Sequence, residues 1–337
     1  MKWKDIPDSA RQKLLSLYES GNSLDNAAVT LGINSETLRR RLREYRYQAE
    51  MTRKIESGDF DFSFISSRKW NDYLVLEADD LMVISDLELP DTDEAVLQAF
   101  LMTAIRYNIR RMVILGDGTA QDQHGLSTWL STWKDSESID FGGVFGILNR
   151  LIRLLLECFD EIYYVSGNHD QRIAKVTNGQ VHMGLLLQHF GGRVHFSQYR
   201  RMYLKTSRGT IGLFHQSNFS ANGLSLSRKM YNVEPGFDGK KLSAIVVAHI
   251  HHWSCGKSDD NLAGCYSLGC ARAPERTQYL NETPSTHSQW SQGFMRIQNG
   301  FIHNYDLHET DWDEVLGEYA KGLLFHRPLV KTQRIPD

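Results

Sequence analysis

The chain has 337 residues, more than one compact domain usually needs, and 41% of them are hydrophobic, enough for a sizeable core. Its formal charge of −3 leaves no global basic field, so a nucleic-acid contact has to come from a local patch. The cysteines Cys158, Cys255, Cys265 and Cys270 form no CxxC pair, no apolar run approaches bilayer length, and the first residues carry no apolar leader, so the expectation is a soluble cytoplasmic protein with no disulfide framework, zinc ribbon or membrane contact.

Residues 1–48 read as a small all-α domain of three short helices. Residues 9–20 place Leu14, Leu15, Leu17 and Tyr18 on one side, and Gly21-Asn22 ends that helix. Ser23 is expected to cap a second helix with apolar positions Leu24, Ala27, Ala28 and Leu31. Gly32-Ile33-Asn34 makes a tight turn, and Ser35 is expected to cap a third helix, ETLRRRLREYR, that buries Leu38 and Leu42. That helix also carries Arg39, Arg40, Arg41, Arg43 and Arg46, with only Glu44 among them. The pattern resembles the helix-turn-helix of phage and transposase-type DNA-binding modules, which implies DNA as a partner through these arginines. The competing reading is a helical hairpin with a solvated basic face.

Residues 49–75 are polar and mixed in charge and read as a linker. From Tyr73 onward, apolar runs of strand length fall at 73–76, 81–85, 111–115, 161–165, 210–214 and 243–248. Helix-length segments lie between the earlier ones, at 92–109 and 141–158. Closer-spaced strands at 193–197, 201–206, 264–268, 293–298 and 301–306 predict a more antiparallel second half. The core domain is therefore expected over 76–310, with an α/β arrangement. Residues 311–337 read as a polar tail with a short helix at 312–324.

Polar groups follow five of these apolar runs. LMVIS precedes Asp86-Leu87-Glu88, and RMVIL precedes Gly116-Asp117. EIYYVS precedes Gly167-Asn168-His169-Asp170, TIGLF precedes His215, and SAIVVA precedes His249-Ile250-His251. Sites in open α/β sheets form at the carboxyl ends of strands. Asp, Asn and His are what a two-metal hydrolytic centre needs, because two adjacent cations can neutralise a phosphate ester, activate water and clamp both oxygens of an in-line displacement.

In this order the fragments resemble the calcineurin-like metallophosphoesterase family, whose pattern runs D-x-H, G-D, G-N-H-D/E, a single H, and G-H-x-H. The resemblance covers roughly residues 80–306. Gly269-Cys270, Tyr279 and Trp290 to Phe294 look like the tail of phage-encoded members, in which case the setting would be a bacterial host's cytoplasm. The resemblance implies an α/β fold (α+β in some schemes), a four-layer β-sandwich flanked by helices. It also implies two divalent ions, Mn²⁺ first, with Mg²⁺, Fe²⁺, Zn²⁺ or Ni²⁺ as alternatives. Asp117 would bridge them. Asp86 and His251 would bind the first ion, and Asn168, His215 and His249 the second. His169 would face the phosphate and protonate the leaving oxygen, with Asp170 orienting its ring.

Two positions depart from the pattern. Glu88 stands where the family has His. Its carboxylate either binds the first ion, favouring hard cations, or is not a ligand and leaves that site weak. Ala248 replaces a Gly, at little cost if its backbone is extended. Asp122 and His124 read as polar surface loop, His252 as outside the ligand set, and Trp129, Trp133 and Trp290 as core or loop anchors. Arg172 is a candidate contact for a substrate phosphate. The leading expectation is a metal-dependent phosphoesterase, a nuclease or phosphodiesterase acting on DNA. A phosphomonoesterase, a cyclic-nucleotide or protein phosphatase, and a DNA-binding regulator with a weakened site remain as alternatives. The oligomeric state is open.

Overall fold

Continuous apolar runs of strand length, buried on both faces, decide the architecture. The chain was analysed as a computed structural model that describes residues 3–57, 73–120, 141–217, 222–234, 236–277, 290–317 and 320. Its strands are β1 (Leu74–Glu77), β2 (Leu81–Ile84), β3 (Arg111–Leu115), β4 (Glu161–Val165), β5 (Val194–Ser197), β6 (Arg201–Thr206) and β7 (Gly209–His215). They continue as β8 (Gly236–Phe237), β9 (Lys240–Lys241), β10 (Ala244–Ala248), β11 (Ser254–Lys257), β12 (Gly264–Ser267), β13 (Gly293–Gln298) and β14 (Phe301–Asp306). The helices are α1 (Asp8–Glu19), α2 (Asp25–Leu31), α3 (Ser35–Glu56), α4 (Glu94–Arg106), α5 (Phe141–Cys158), α6 (Gln171–Val176), α7 (Met183–Leu187), α8 (Gly223–Val233) and α9 (Trp312–Leu316).

Two six-stranded sheets result, ordered β14-β13-β2-β3-β4-β5 and β1-β6-β7-β10-β12-β11. In the first, β2 to β5 are parallel and β13 and β14 antiparallel. Val83, Val113 and Val165 point inward and meet Leu204, Leu213 and Val246 of the other sheet. Met82, Ile114 and Ile162 point outward and are covered by Phe100 of α4 and Ile152 of α5. On the far side, Phe214, Ile245 and Val247 are covered by Leu226 and Tyr231 of α8. The order is helix, sheet, sheet, helix, the expected four-layer sandwich. Being covered on both faces, the central strands lack the hydrophobic-polar alternation of a half-exposed strand and read as continuous apolar runs.

The strands at 161–165, 201–206, 293–298 and 301–306 fall where the sequence predicts them. The antiparallel second half is only partly realised, because β7, β10 and β12 run parallel. The sequence reading missed the short α6 and α7, the β8–β9 hairpin, β11 and α8. The start of α8 is marked by Asn222, whose side chain accepts from the Ser225 N–H at 3.0 Å. No helix among the described residues is long and apolar enough to cross a membrane.

The chain divides into two compact units, Met1–Asn71 and Asp72–Asp337. In the first, α1, α2 and α3 enclose Leu24, Ala28, Leu38 and Leu42. Gly32 ends α2 with φ 67°, a left-handed conformation that glycine adopts without penalty. The cap of α3 is Asn34 rather than Ser35: the Asn34 side chain accepts from the Thr37 N–H at 2.6 Å, and the Ser35 hydroxyl instead donates to Asp25. Helix α3 runs on to Glu56, so residues 49–56 of the expected linker are helical. Of the expected tail helix at 312–324, the described part is α9; most residues beyond it, like 58–72 of the linker, lie outside the described residues.

The first unit has few fully buried side chains, so each carries a large share of its stability. Leu42→Ala should cost this unit about 2–5 kcal/mol. Hydrogen exchange of the α3 amides in the full chain would report it as faster exchange than in the wild type.

Candidate metal centre

The carboxyl ends of β2, β3 and β4 lie side by side in one sheet, and those of β7 and β10 in the other. The residues that follow or end these strands are Asp86, Glu88, Asp117, Asn168, His169, His215, His249 and His251. The sandwich thus gathers at one edge what the sequence spreads over more than 160 positions. Asp86, Asp117, His215 and His249 have donor atoms within 4.8 Å of one another, as do Asp86, Glu88 and His251, and as do Glu88, Asp117 and His169. His215 Nε2 stands 3.2 Å from Asp86 Oδ1 and 3.2 Å from Asp117 Oδ2. His251 Nε2 stands 3.4 Å from Asp86 Oδ1 and 3.2 Å from Glu88 Oε1. The His169 backbone N–H donates to Asp117 Oδ1 at 2.8 Å, while its Nε2 lies 3.7 Å from Asp117 Oδ2.

The local backbone is unusual. Asp86, Glu88, Asp117, His249 and His251 all have positive φ, between 45° and 104°, a conformation that costs non-glycine residues of order 1–3 kcal/mol each. The chain turns sharply just beyond each strand, which aims these side chains inward. His249 and His251 therefore do not share the face of a straight strand, as their spacing alone suggests; β10 ends at Ala248, and the two rings enter different donor clusters. Ala248 itself belongs to the extended strand, so the missing glycine costs nothing there. Two other glycines cannot be replaced. A Cβ on Gly167 would overlap the Asp117 carboxylate and backbone nitrogen, and one on Gly116 would overlap the His215 ring.

Asp86, Glu88, Asp117 and His215 are each no more than 2% exposed. Burial disfavours charge on Asp117, but His215 and His169 outweigh it and hold its pKa at about 2. Burial likewise opposes the His215 imidazolium, yet Asp117 and Asp86 hold its pKa up at about 10. Burial, followed by the charge on His215, pushes His249 down to about 4. Protonated imidazole is thus the main counter-charge available to Asp117 inside the cluster. Among the described residues, the buried Asn168 Oδ1 has no hydrogen bond, and Asp117 Oδ2 meets the His215 and His169 rings without a well-aligned hydrogen bond. A buried oxygen left over beside carboxylates and imidazoles fits a divalent cation.

Asp170 departs from its expected role. Its Oδ2 accepts from the Gly167 N–H at 2.9 Å and its Oδ1 from the Tyr164 hydroxyl at 2.9 Å and the Thr119 hydroxyl at 3.3 Å; the His169 ring is not among these donors. Asp170 therefore shapes the Gly167–His169 loop instead of orienting the imidazole. Burial and the neighbouring Asp117 charge raise its pKa to about 6.

Three residues that sequence reasoning left out or gave another role stand at the site. Arg272, 1% exposed, places its guanidinium on Glu88 Oε2 and, at 2.9 Å, on Asp91 Oδ2. Its signal in the sequence was a lone charge between Ala271 and Ala273. Arg200 donates through Nε and Nη2 to Gln171 Oε1 at 3.1 and 2.6 Å, and its carbonyl accepts from the His215 N–H. The sequence reading did not single it out. Trp290, read as an anchor, meets the His251 ring edge-on at 4.2 Å, and the adjacent Ser291 N–H donates to the His251 carbonyl. Arg172 sits in the first turn of α6, half-exposed. His252 is buried outside the donor clusters. Asp122, His124, Trp129, Trp133 and Tyr279 lie outside the described residues.

In the first unit, Arg39, Arg40, Arg41, Arg43 and Arg46 are all exposed on α3. Arg39 and Arg43 lie 4.0 and 3.3 Å from Glu36, and Arg40 and Arg41 lie 3.9 and 3.2 Å from Glu44. Exposed pairs of this kind are worth little, about 0–1 kcal/mol, and yield easily to a phosphate.

No family profile and no curated protein matches the sequence. Among solved structures, vacuolar protein sorting 29 from Cryptosporidium parvum is 15% identical with a TM-score of 0.38, over 68% of this chain and 92% of that one. A hypothetical protein from Pyrococcus horikoshii is 12% identical with a TM-score of 0.41, over 74% and 93%. A predicted phosphoesterase from Streptococcus pneumoniae is 12% identical with a TM-score of 0.29, over 68% and 97%. Likenesses this distant concern fold alone, and the reading of the site rests on the geometry above.

Two outcomes follow. Gly167→Ala should displace the Asp117 carboxylate and abolish tight binding of divalent ions, as read by calorimetric titration. His215 must lose its proton to become a ligand. With its pKa at about 10, it is protonated at neutral pH, so binding should release a proton and the apparent affinity should rise with pH from 6 to 9. Titrations in buffers of different ionisation enthalpy would count that proton. An affinity independent of pH would contradict the assignment of His215 as a ligand.

Proposed function

We propose that the chain is a metal-dependent phosphoesterase that holds two divalent ions, Mn²⁺ first, and hydrolyses phosphodiester bonds in DNA in the cytoplasm. The observation that carries the reading is the merging of three donor clusters into one buried site through the shared residues Asp86, Glu88 and Asp117. Asp86, Glu88 and His251 would hold the first ion, Asn168, His215 and His249 the second, and Asp117 would serve both. When bound, such a pair supplies an activated water and neutralises charge on the phosphoryl group.

The chain's own groups do the rest. The His169 N–H keeps the Asp117 carboxylate in place. The His169 ring is half-buried, with Nε2 3.7 Å from the same carboxylate, and would give a proton to the leaving oxygen. Asp170 and Tyr164 set the conformation of the loop that carries it. Arg200, anchored on Gln171, and Arg172 would contact the non-bridging phosphate oxygens.

DNA is favoured over a phosphomonoester or a phosphoprotein by the exposed arginines of α3. A surface that holds DNA raises the local concentration of scissile bonds without altering the catalytic groups. Four arginine–phosphate contacts would give log K against log salt a slope of roughly −3 to −4.

The test is Mn²⁺-dependent cleavage of DNA beside a generic phosphodiester and a generic phosphomonoester. Absence of DNA cleavage with the small diester still cut would remove the nuclease reading and keep the esterase. His169→Ala should retain both ions yet turn over ~10²–10⁴-fold more slowly; loss of an ion instead would make His169 a ligand. Arg200→Gln should raise KM more than it lowers kcat. Glutamine at Arg39, Arg40 and Arg43 together should flatten the salt dependence of DNA binding while sparing hydrolysis of the small diester.

A further inference from the structure

Glu88 stands at a position where the resembling pattern has an imidazole, and the exchange is not neutral. A histidine ligand carries no charge, whereas a carboxylate adds one to a site that already buries Asp86 and Asp117. Glu88 is 2% exposed, so water cannot screen the added charge.

The answer to this charge lies far away in sequence. Arg272 is the largest fully buried side chain among the described residues. One arm of its guanidinium takes Glu88 Oε2, leaving Oε1 turned toward the donor cluster, 3.2 Å from His251 Nε2. The other arm is held by Asp91 at 2.9 Å. The backbone around it is laced to the Glu88 loop: Ala273 N–H donates to Asp91 O at 2.8 Å, and Asp93 N–H to Ala271 O at 2.8 Å. Gln292 closes the arrangement, donating to Asp93 at 2.6 Å and to the Arg272 carbonyl at 3.2 Å. A guanidinium fixed in this way cannot swing away when the cluster is loaded or emptied.

We propose that Arg272 is a built-in positioning cation that presents Glu88 as a one-oxygen ligand of the first ion, the two residues together doing the work of the missing histidine. Arg272 touches neither substrate nor ion; it acts through Glu88. The inference rests on the two-ion reading of the site. It predicts that Glu88 and Arg272 change together or not at all. Arg272→Gln leaves Glu88 able to turn away or to chelate with both oxygens. Glu88→His alone sets an imidazole against a buried guanidinium.

The experiment is Mn²⁺ titration by calorimetry, with metal content by mass spectrometry, of the full-length wild type, Arg272→Gln, Arg272→Lys, Glu88→His, and Glu88→His combined with Arg272→Met. Removing a partner that orients a ligand typically costs 10–100-fold in metal affinity. The expected result is that Arg272→Gln weakens one of the two ions by about that factor and leaves the other unchanged. Arg272→Lys, which keeps the charge but not the fork, should fall between, and the double variant should recover two-ion binding that Glu88→His alone lacks. Unchanged affinities in Arg272→Gln, equal weakening of both ions, or a double variant no better than its singles would overturn the proposal. Should Arg272→Gln fail to fold, the double variant decides: two ions support the coupling and fewer refute it. A wild type that binds no ion would refute the two-ion reading itself, a result distinct from any of these.

Discussion

Negative charge crowded into a space closed to water governs this molecule. Asp86, Glu88, Asp117 and Asp170 are each no more than 2% exposed. Two like charges 4 Å apart repel by about 4 kcal/mol at an effective dielectric of 20, and each also forfeits its hydration. A fold keeps such groups together only with positive charge between them or with one of them protonated. The chain's own groups meet this need with imidazolium at His215, with Arg272, and by raising Asp170 toward neutrality. Divalent ions meet it more completely, and for that reason a cluster that is costly as protein alone makes sense as a receptacle.

The sandwich is the means by which that cost is borne. Strands covered on both faces are stiff and fully hydrogen-bonded, so their ends can hold five residues in left-handed backbone without the turns relaxing. The tightness of the packing shows at Gly116 and Gly167, where the absence of a Cβ lets the His215 ring and the Asp117 carboxylate lie against the main chain. The Ser291 and Trp290 contacts do the same for His251 from β13's side of the site. What fixes the donors is the main chain, and the side chains inherit its precision.

This explains which parts were legible in the sequence. Apolar runs such as 161–165 and 293–298 announce strands because burial on both faces leaves no competing pattern, and a polar residue at the end of such a run has only the sheet edge to occupy. Short elements were less visible: α8 carries Ser225, Ser227 and Arg228 on its own turns, and β11 has the composition of a loop. Asn34 lost to Ser35 as the expected cap because both residues suit the position, and only the three-dimensional path of α2 gives Ser35 another partner in Asp25. Arg272 was out of reach for another reason. It lies 184 residues from Glu88, and nothing local distinguishes a buried arginine from a surface one. Asp170 was placed on the His169 ring by the resemblance alone, whereas the turn in this chain directs its carboxylate to Tyr164 and the Gly167 N–H.

The substitution of Glu88 for an imidazole also changes how the two ion positions relate. An imidazole ligand gives up its proton to solvent when an ion binds, so an emptied site takes a proton back and stays in balance. A carboxylate paired with guanidinium has no such freedom; its counter-charge is permanent and present before any ion arrives. The guanidinium offsets the charge that Glu88 adds and holds its other oxygen toward the first position. Among the described residues, Asp86, Asp117, His215 and His249 have no such arginine pair. On the proposed reading, affinity thus traces back to where one arginine is tied down, and Asp91, whose carboxylate holds that arginine and whose N–H donates to the Glu88 carbonyl at 2.9 Å, becomes part of the metal chemistry.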